Sequence, residues 1–245
     1  MRPASQSGRV PAPPVQRGAA ASPRRKFLNF VPQLRSGSFM KVLLVNGGPH
    51  RQGCTFTALS EVAGALEKQG IDTETLWLGV EPVAGCIGCG RCFATGRCFI
   101  GDAVNEVIAR SAEFDGFVFG TPVHFASATG SLTGFMDRLF YGRTTLFAYK
   151  PAAAVASCRR AGSTAALDQL NKYFAISRMP VVSSQYWNMV HGTTPEEVRR
   201  DAEGMQIMRT LGVSMAWLLR CIEAGRAVGI GLPEAEEPVR TNFIR

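Results

Sequence analysis

From residue 41 onward, six-residue runs rich in apolar side chains alternate with stretches in which apolar residues return every three or four positions. A short apolar run bounded by Gly or Pro reads as a strand, and a three-to-four repeat as one face of a helix. Lys41–Asn46 is the first run and stops at Gly47-Gly48-Pro49. Between Thr55 and Gln69, Phe56, Leu59, Val62, Ala63 and Leu66 stand at helical spacing, closed by Gly70. Thr73–Leu78 is the second strand, and a Cys- and Gly-rich stretch follows to Gly101. Asp102 is placed to cap a helix bearing Val104, Val107 and Ile108. Gly116–Thr121 is the third strand, stopped by Pro122, and Leu132, Phe135, Met136, Leu139 and Phe140 mark the next helix. Ala152–Ser157 is the fourth strand, Leu167, Leu170 and Phe174 mark a further helix, and Val181–Tyr186 is the fifth strand. Thr194-Pro195 reads as a cap with proline at the first helical position. From Val198 through Ala202, Met205, Met208, Leu211, Met215 and Leu218 to Ile222 the pattern predicts a single long last helix. The stretch from Gly225 reads as extended.

Strand and helix in regular alternation predict an α/β fold, a parallel sheet with helices on both faces. Five strands in one doubly wound domain predict the strand order 2-1-3-4-5. Its ligand would lie outside the carboxyl ends of the strands.

The net charge of +8 has a local origin. Residues 1–39 carry Arg2, Arg9, Arg17, Arg24, Arg25, Lys26 and Arg35 and no acid, whereas the other 206 residues hold 20 basic and 19 acidic groups. The part that folds is therefore nearly neutral, and nothing points to a nucleic-acid partner, which would need a basic surface on the fold itself. No stretch approaches the roughly 18 uncharged apolar residues of a membrane span. Residues 1–39 also hold six of the 14 prolines, and they read as a disordered basic Pro/Arg/Ala-rich extension ahead of one domain over residues 40–245. Such an extension fits a transit peptide, a tail for acidic partners, or a reading frame whose start is Met40.

Two loops carry chemistry. Asn46-Gly-Gly-Pro-His-Arg-Gln-Gly-Cys-Thr55 joins the first strand to a helix. Glycines let the backbone approach an anion, free N–H groups at the helix start attract it, and Thr55 adds a hydroxyl. The spacing is not the dinucleotide G-x-G-x-x-G, and no Lys-Ser/Thr pair follows for a nucleoside triphosphate. A mononucleotide phosphate fits better; a plain Gly-rich turn is the alternative. The second loop is Cys86-x2-Cys89-x2-Cys92-x5-Cys98. Closely spaced thiolates of this kind can wrap an iron–sulfur cluster. Gly88 and Gly90 let the backbone fold around it, and Arg91 and Arg97 are expected to offset its negative charge. A zinc site, disulfides and four cysteines with no cluster remain as alternatives.

Together these loops resemble the flavodoxin-like NAD(P)H-dependent FMN reductases, most closely the iron–sulfur flavoprotein branch. The first-strand loop is similar to that family's N-G-S-P-R-x-x-G-N-T phosphate loop at Pro49, Gly53 and Thr55, with Gly48, His50 and Cys54 replacing its serine, arginine and asparagine. Those replacements remove side-chain donors, so phosphate affinity would lean on backbone N–H groups. Thr121-Pro122-Val123-His124-Phe125 is similar to the S-P-V-Y-W/F loop that wraps the flavin ring, with His124 in place of the tyrosine.

The resemblance implies a flavodoxin-like fold. It implies an FMN site built from Gly48, Pro49, His50, Gly53, Cys54 and Thr55, from Pro122, Val123, His124 and Phe125, and from Ser157, Arg159, Arg160 and Gly162. It implies a 4Fe-4S cluster on Cys86, Cys89, Cys92 and Cys98. Electrons would pass from NAD(P)H or reduced ferredoxin to a small-molecule acceptor, in a cytoplasmic homodimer or homotetramer. A non-enzymatic electron carrier or redox sensor is the alternative. The cofactor does the chemistry in such proteins, so no catalytic side chain is expected, His124 being the one candidate for proton delivery. Tyr186-Trp187 is read as packing, outside the site.

Overall fold

In the computed structural model, which describes residues 40–234, 236, 237, 239 and 241, the first strand β1 (Lys41–Asn46) is buried on both faces from Val42 onward. The expected extension 1–39 lies outside the described residues. Alternate β1 side chains feed two separate cores, because successive residues of a strand point to opposite faces. Leu43 and Val45 join Phe117 and Phe119 of β3 (Gly116–Pro122) and Ala152, Ala154 and Ala156 of β4 (Ala152–Cys158) on one face. Val42 and Leu44 join Val118, Ala153 and Val155 on the other.

The short α2 (Arg91–Thr95) lies in the cysteine segment, and the first core is covered by α3 (Ala103–Ala109), α4 (Gly130–Phe140) and α5 (Ser163–Ile176), through residues such as Val104, Leu132, Phe135 and Phe174. The second is covered by α1 (Cys54–Glu67) and the long α7 (Ala202–Ala227), through Leu59, Val62, Met208, Leu211 and Met215. The order is β2-β1-β3-β4-β5, all parallel, with β2 (Asp72–Trp77) at one edge and β5 (Met189–His191) at the other. This is the flavodoxin-like doubly wound arrangement that the alternation predicts. Among the described residues no helix is long and apolar enough to cross a membrane.

Two readings need correction. The fifth strand is not Val181–Tyr186. Val181 makes a single bridge to Ala152, and Val182 N–H donates to Ala152 O at 2.8 Å. The chain then leaves the ladder, because the Ser184 hydroxyl bonds Tyr186 O (2.7 Å) and Asn188 Oδ1 (2.8 Å), closing a local turn that competes with sheet pairing. Pairing resumes only at Met189, and the excursion leaves Tyr186 and Trp187 half exposed rather than packed. The last helix is also two, α6 (Pro195–Arg200) and α7. Asp201 separates them, its ψ of 81° outside helical space. Its carboxylate caps Gly204 N–H at 2.9 Å and accepts His191 N–H at 2.7 Å, pinning the end of β5.

At the amino edge of the sheet, charges are consumed by one another. Glu74 accepts from Lys41 Nζ (2.6 Å) and, bidentately, from Arg110 (2.7 Å for both bonds). The Arg110 hydrogen bonds hold the Glu74 carboxyl down at about 2. Lys150, buried, donates to Ser111 O (2.6 Å) and Phe114 O (2.8 Å), and burial lowers its ammonium to about 8.

Candidate functional site

Three loops meet at the carboxyl edge. Asn46, the fully buried last residue of β1, folds the first loop: its Oδ1 accepts Gly48 N–H (2.9 Å) and its Nδ2 donates to Arg51 O (3.3 Å). Trp77, ending β2, donates its indole N–H to Gly48 O at 2.9 Å. Gly48 is thus held through both backbone groups, and its N–H, expected to serve a phosphate, is already spent. The donors left over lie further on. Gly53 is the N-cap of α1 with no capping side chain, the first turn holds no acid, and the N–H groups of Cys54, Thr55 and Phe56 find no acceptor among the described residues. Such a helix start is a ready anion site. Burial pushes the Cys54 thiol up from its ordinary range, and Glu197 and Glu196 add to the effect, so a neutral group stands beside those donors.

Thr55 also serves as a joint between loops. It is buried, and its hydroxyl pairs with that of Ser157 at 2.8 Å, joining the β1 loop to the β4 loop. Ser157 O also accepts Val123 N–H (2.9 Å), and the Thr129 hydroxyl, at the N-cap of α4, donates to Gly47 O (2.9 Å). The β1, β3 and β4 loops are therefore stitched together.

In the β3 loop, His124 and Ser127 exchange two backbone hydrogen bonds of 2.9 Å around Phe125 and Ala126, whose φ values are +49° and +58°. Two successive positive φ angles are those of a type I′ turn, which favours Asn and Gly. A Phe-Ala pair there is strained, and the turn holds the Phe125 ring fully exposed. Gly162 locks against the same turn. Its φ is +87°, and a Cβ on it would come within 2.8 Å of Ala126 Cα and 3.0 Å of a Val123 methyl.

The expected residues divide as follows. Gly48, Thr55 and Ser157 are buried joints. Gly53, Cys54, Pro122, Val123 and Gly162 are partly buried walls. Pro49, His50, His124, Phe125, Arg159 and Arg160 are exposed, and the two arginines make no ion pair among the described residues. An uncapped helix N-terminus, glycine cradles and an exposed ring on a rigid turn fit a flavin mononucleotide: an anionic end for the N–H groups and an apolar ring for Phe125.

The four cysteines line one small, solvent-open pocket together with Gly90, Ile100, Arg138 and Tyr141. All are free thiols. Cys92 and Cys98 are anchored. Gly142, just after α4, lies so near Cys92 that a Cβ would stand 2.7 Å from the sulfur. Asn105 of α3 accepts Cys98 N–H (2.8 Å) and donates to Cys98 O (2.9 Å) and Ile100 O (2.8 Å), copying a strand partner. Burial, and then the neighbouring thiols, push Cys92 up. Cys86 and Cys89 are exposed, carried on a segment whose Gly88 and Gly90 adopt φ of +66° and +70°. Among the described residues no three Cys, His, Asp or Glu side chains converge tightly enough for a single ion. Four free thiols lining one pocket are the donor set of an iron–sulfur group.

The expected counter-charges are not the ones in place. Arg91 and Arg97 are exposed, Arg91 lying over the Phe99 ring at 5.5 Å. The arginine that touches a sulfur is Arg138, whose Nε donates to Cys98 Sγ at 3.3 Å. Asn46, Trp77, Asn105, Thr129 and Arg138 were all missed by reading the sequence. Only Arg138 left a signal there, a charge three residues after Phe135 on the apolar face of α4. The cavity lies along α4, with Arg138 nine residues beyond Thr129, roughly 13 Å of helix rise. The two sites share a helix and no residue.

Residues 40–194 match the model of a family described as NADPH-dependent FMN reductase. The chain is 31% identical over 192 residues to an iron–sulfur flavoprotein of Methanocaldococcus jannaschii, covering 75% of this chain and all of that one. It is 27% identical over 194 residues to an iron–sulfur flavoprotein of Methanosarcina thermophila, covering 76% of this chain and 99% of the other. Its fold is similar to that of a flavodoxin from the domain Archaea, with a TM-score of 0.50, 15% identity, and coverage of 74% of this chain and 99% of that one.

Proposed function

Since the chain belongs to the NADPH-dependent FMN reductase family, and so is an FMN-dependent oxidoreductase, we propose that it passes electrons from NAD(P)H or reduced ferredoxin to a small-molecule acceptor, and that Cys86, Cys89, Cys92 and Cys98 hold a 4Fe-4S cluster. The observation that carries the flavin reading is the set of three stitched loops around the uncapped start of α1. FMN, when bound, supplies two-electron chemistry at its ring, and a cluster supplies a one-electron port.

The protein supplies binding and orientation. N–H groups of Cys54, Thr55 and Phe56 receive the phosphate. The turn at Phe125 and Ala126 sets the ring's wall and limits water on that side. Arg159 and Arg160 bring positive charge to the β4 loop, for negative charge on the reduced ring or for a nicotinamide cofactor's phosphate. His124, exposed beside Phe125, is the candidate to hold a proton at the edge of the site. The cluster reading is supported by four free thiols around one cavity and by the names of the two relatives. Free thiols also suit a reducing, cytoplasmic setting, and a homodimer or homotetramer is the proposed assembly.

Purified without oxygen and with adequate flavin, the protein is expected to be yellow, to release FMN on denaturation, and to contain about four iron and four sulfide per chain. Cys92→Ser removes the cluster absorption and leaves FMN bound, because the two sites share no residue. Colourless protein that cannot be reconstituted with FMN overturns the flavin site. Zinc, or no metal, in anaerobic protein overturns the cluster. Turnover with a quinone separates an enzyme from an electron carrier.

A further inference from the structure

Arg138 is the only arginine among the described residues buried to this degree, with 1% of its side chain exposed. A buried guanidinium is retained only where its donors are satisfied, and all five N–H groups of Arg138 are spent. Nη1 and Nη2 grip the two oxygens of Asp102 at 2.5 and 2.8 Å. Nη1 reaches Ala84 O at 3.4 Å and Nη2 reaches Ile100 O at 3.1 Å. Nε takes Cys98 Sγ. Ala84 lies just before the first cysteine and Ile100 just after the last, so one side chain closes the base of the whole loop. Gly134, one turn earlier on α4, lies against the same segment, its Cβ position 3.0 Å from Val83 O.

We propose that Arg138 is the positioning residue of the four-cysteine centre: it fastens both ends of the loop to α4, and it gives the Cys98 sulfur a charge-assisted donor that raises the reduction potential of the cluster held there. The second half rests on the cluster reading above. Taking up one electron makes a cluster one unit more negative and breaks no bond. A buried positive charge and an N–H donor at one of its sulfurs favour that reduced state. Asp102 offsets part of this charge but faces the guanidinium from the side away from Nε, through Nη1 and Nη2. Cys98 is also the cysteine whose backbone is fixed on both sides by Asn105, so its sulfur has a defined place to receive the donor.

The test uses the full chain, purified anaerobically, in wild-type form and as Arg138→Lys and Arg138→Met. Iron, sulfide and FMN are counted, and the cluster midpoint is read by reductive titration with dithionite. Amide hydrogen exchange is followed in the metal-free proteins. Lysine keeps the charge against Asp102 but cannot serve Asp102, two carbonyls and a sulfur at once. Arg138→Lys is expected to keep its iron and flavin with a midpoint lower by about 59 mV, a tenfold change in the reduction constant. Arg138→Met is expected to retain iron roughly 10–100-fold more weakly. Its exchange should quicken across residues 84–102 and not across 41–57.

A midpoint in Arg138→Lys equal to wild type overturns the electronic role. Unchanged exchange in Arg138→Met overturns the fastening role. Wild-type protein without iron defeats the cluster reading and the electronic role with it, and the exchange comparison then still decides whether Arg138 fastens the loop.

Discussion

The two ends of the sheet are built from similar materials and used in opposite ways. At the amino edge, Lys41, Glu74, Arg110 and Glu113 form a closed set of ion pairs, and Asp115 accepts Lys41 N–H at 2.9 Å. At the carboxyl edge, Arg159 and Arg160 stand in solvent, α1 begins without a cap, and Phe125 is presented bare on a strained turn. Charge and backbone donors that hold the fold together at one edge are left unspent at the other. A site of this kind is read from what the fold does not use.

The largest expected effect separates two glycines, one at each edge. Gly162→Ala places a side chain at positive φ and within 2.8 Å of Ala126 Cα, which is backbone and cannot swing aside. The left-handed penalty of about 1–2 kcal/mol and the overlap, about 1–3 kcal/mol, together predict a loss near 3 kcal/mol. FMN affinity is expected to fall tenfold or more as the β3 and β4 loops part. At Gly116 a Cβ meets nothing nearer than 3.4 Å, so Gly116→Ala is expected to stay within about 1 kcal/mol of wild type. Chemical denaturation and flavin titration of both variants check this, and equal losses would break the contrast. Next in size is Thr55→Val, which keeps the shape and strands the buried Ser157 hydroxyl. It is expected to cost about 1–3 kcal/mol in stability and to weaken FMN through loop movement.

How much of this was legible depended on where each residue finds its partners. The strands β1, β3 and β4 were legible because they are buried on both faces and so must be apolar throughout. The fifth strand was not. Its true paired stretch, Met189–His191, is three residues long, and the Ser184–Asn188 turn that displaces it is a local polar contact with no periodicity. The break at Asp201 was hidden because the apolar repeat runs straight through it from Val198 to Met205. In the site, the glycine loops and the cysteines could be read from spacing. Trp77 and Arg138 could not, since their partners lie 29 and 40 residues away and depend on how β1, β2 and α4 come together; Asn46 could not because its bond to Gly48, two residues on, is a local polar contact with no periodicity.

At the amino edge, Glu74→Gln tests whether spent charges matter only to stability. Glu74 and Arg110 keep 30% and 42% of their side chains in water, so screening holds the pair to about 1 kcal/mol. The folded-state carboxyl sits at about 2 against an ordinary 4.5. Its stabilisation is therefore complete above pH 4.5 and is lost as pH falls from there toward 2. Glu74→Gln is expected to melt slightly lower at neutral pH, to show a shallower loss of stability in that acid window, and to bind FMN as wild type does. A flavin defect in this variant would mean that the two ends are coupled.

The smallest expected effect concerns strain, which both ends contain. Tyr149 and Arg178 have φ of +65° and +56° near the amino edge, yet they answer each other: Tyr149 N–H donates to Arg178 O at 2.9 Å, and the guanidinium lies 5.5 Å from the tyrosine ring. Phe125 and Ala126 make no backbone hydrogen bond of their own among the described residues; their turn is closed by the two bonds between His124 and Ser127 and backed by Gly162. Ala126→Gly removes a left-handed penalty of about 1–2 kcal/mol and adds about 0.5–1 kcal/mol of unfolded-state freedom. A net gain of about 0.5–1 kcal/mol should follow, raising the melting temperature by about 1–4 °C. Tyr149→Gly relieves the same kind of strain but forfeits the ring's contacts, and it should melt lower. The pair of melting curves sharpens the comparison because the backbone change is the same in both. A rise at Ala126 and a fall at Tyr149 would show that strain at the amino edge is compensated by contacts, while strain at the carboxyl edge is held in reserve where the flavin is proposed to bind. A fall at both positions would show that the Phe125 turn is no more strained than its surroundings require.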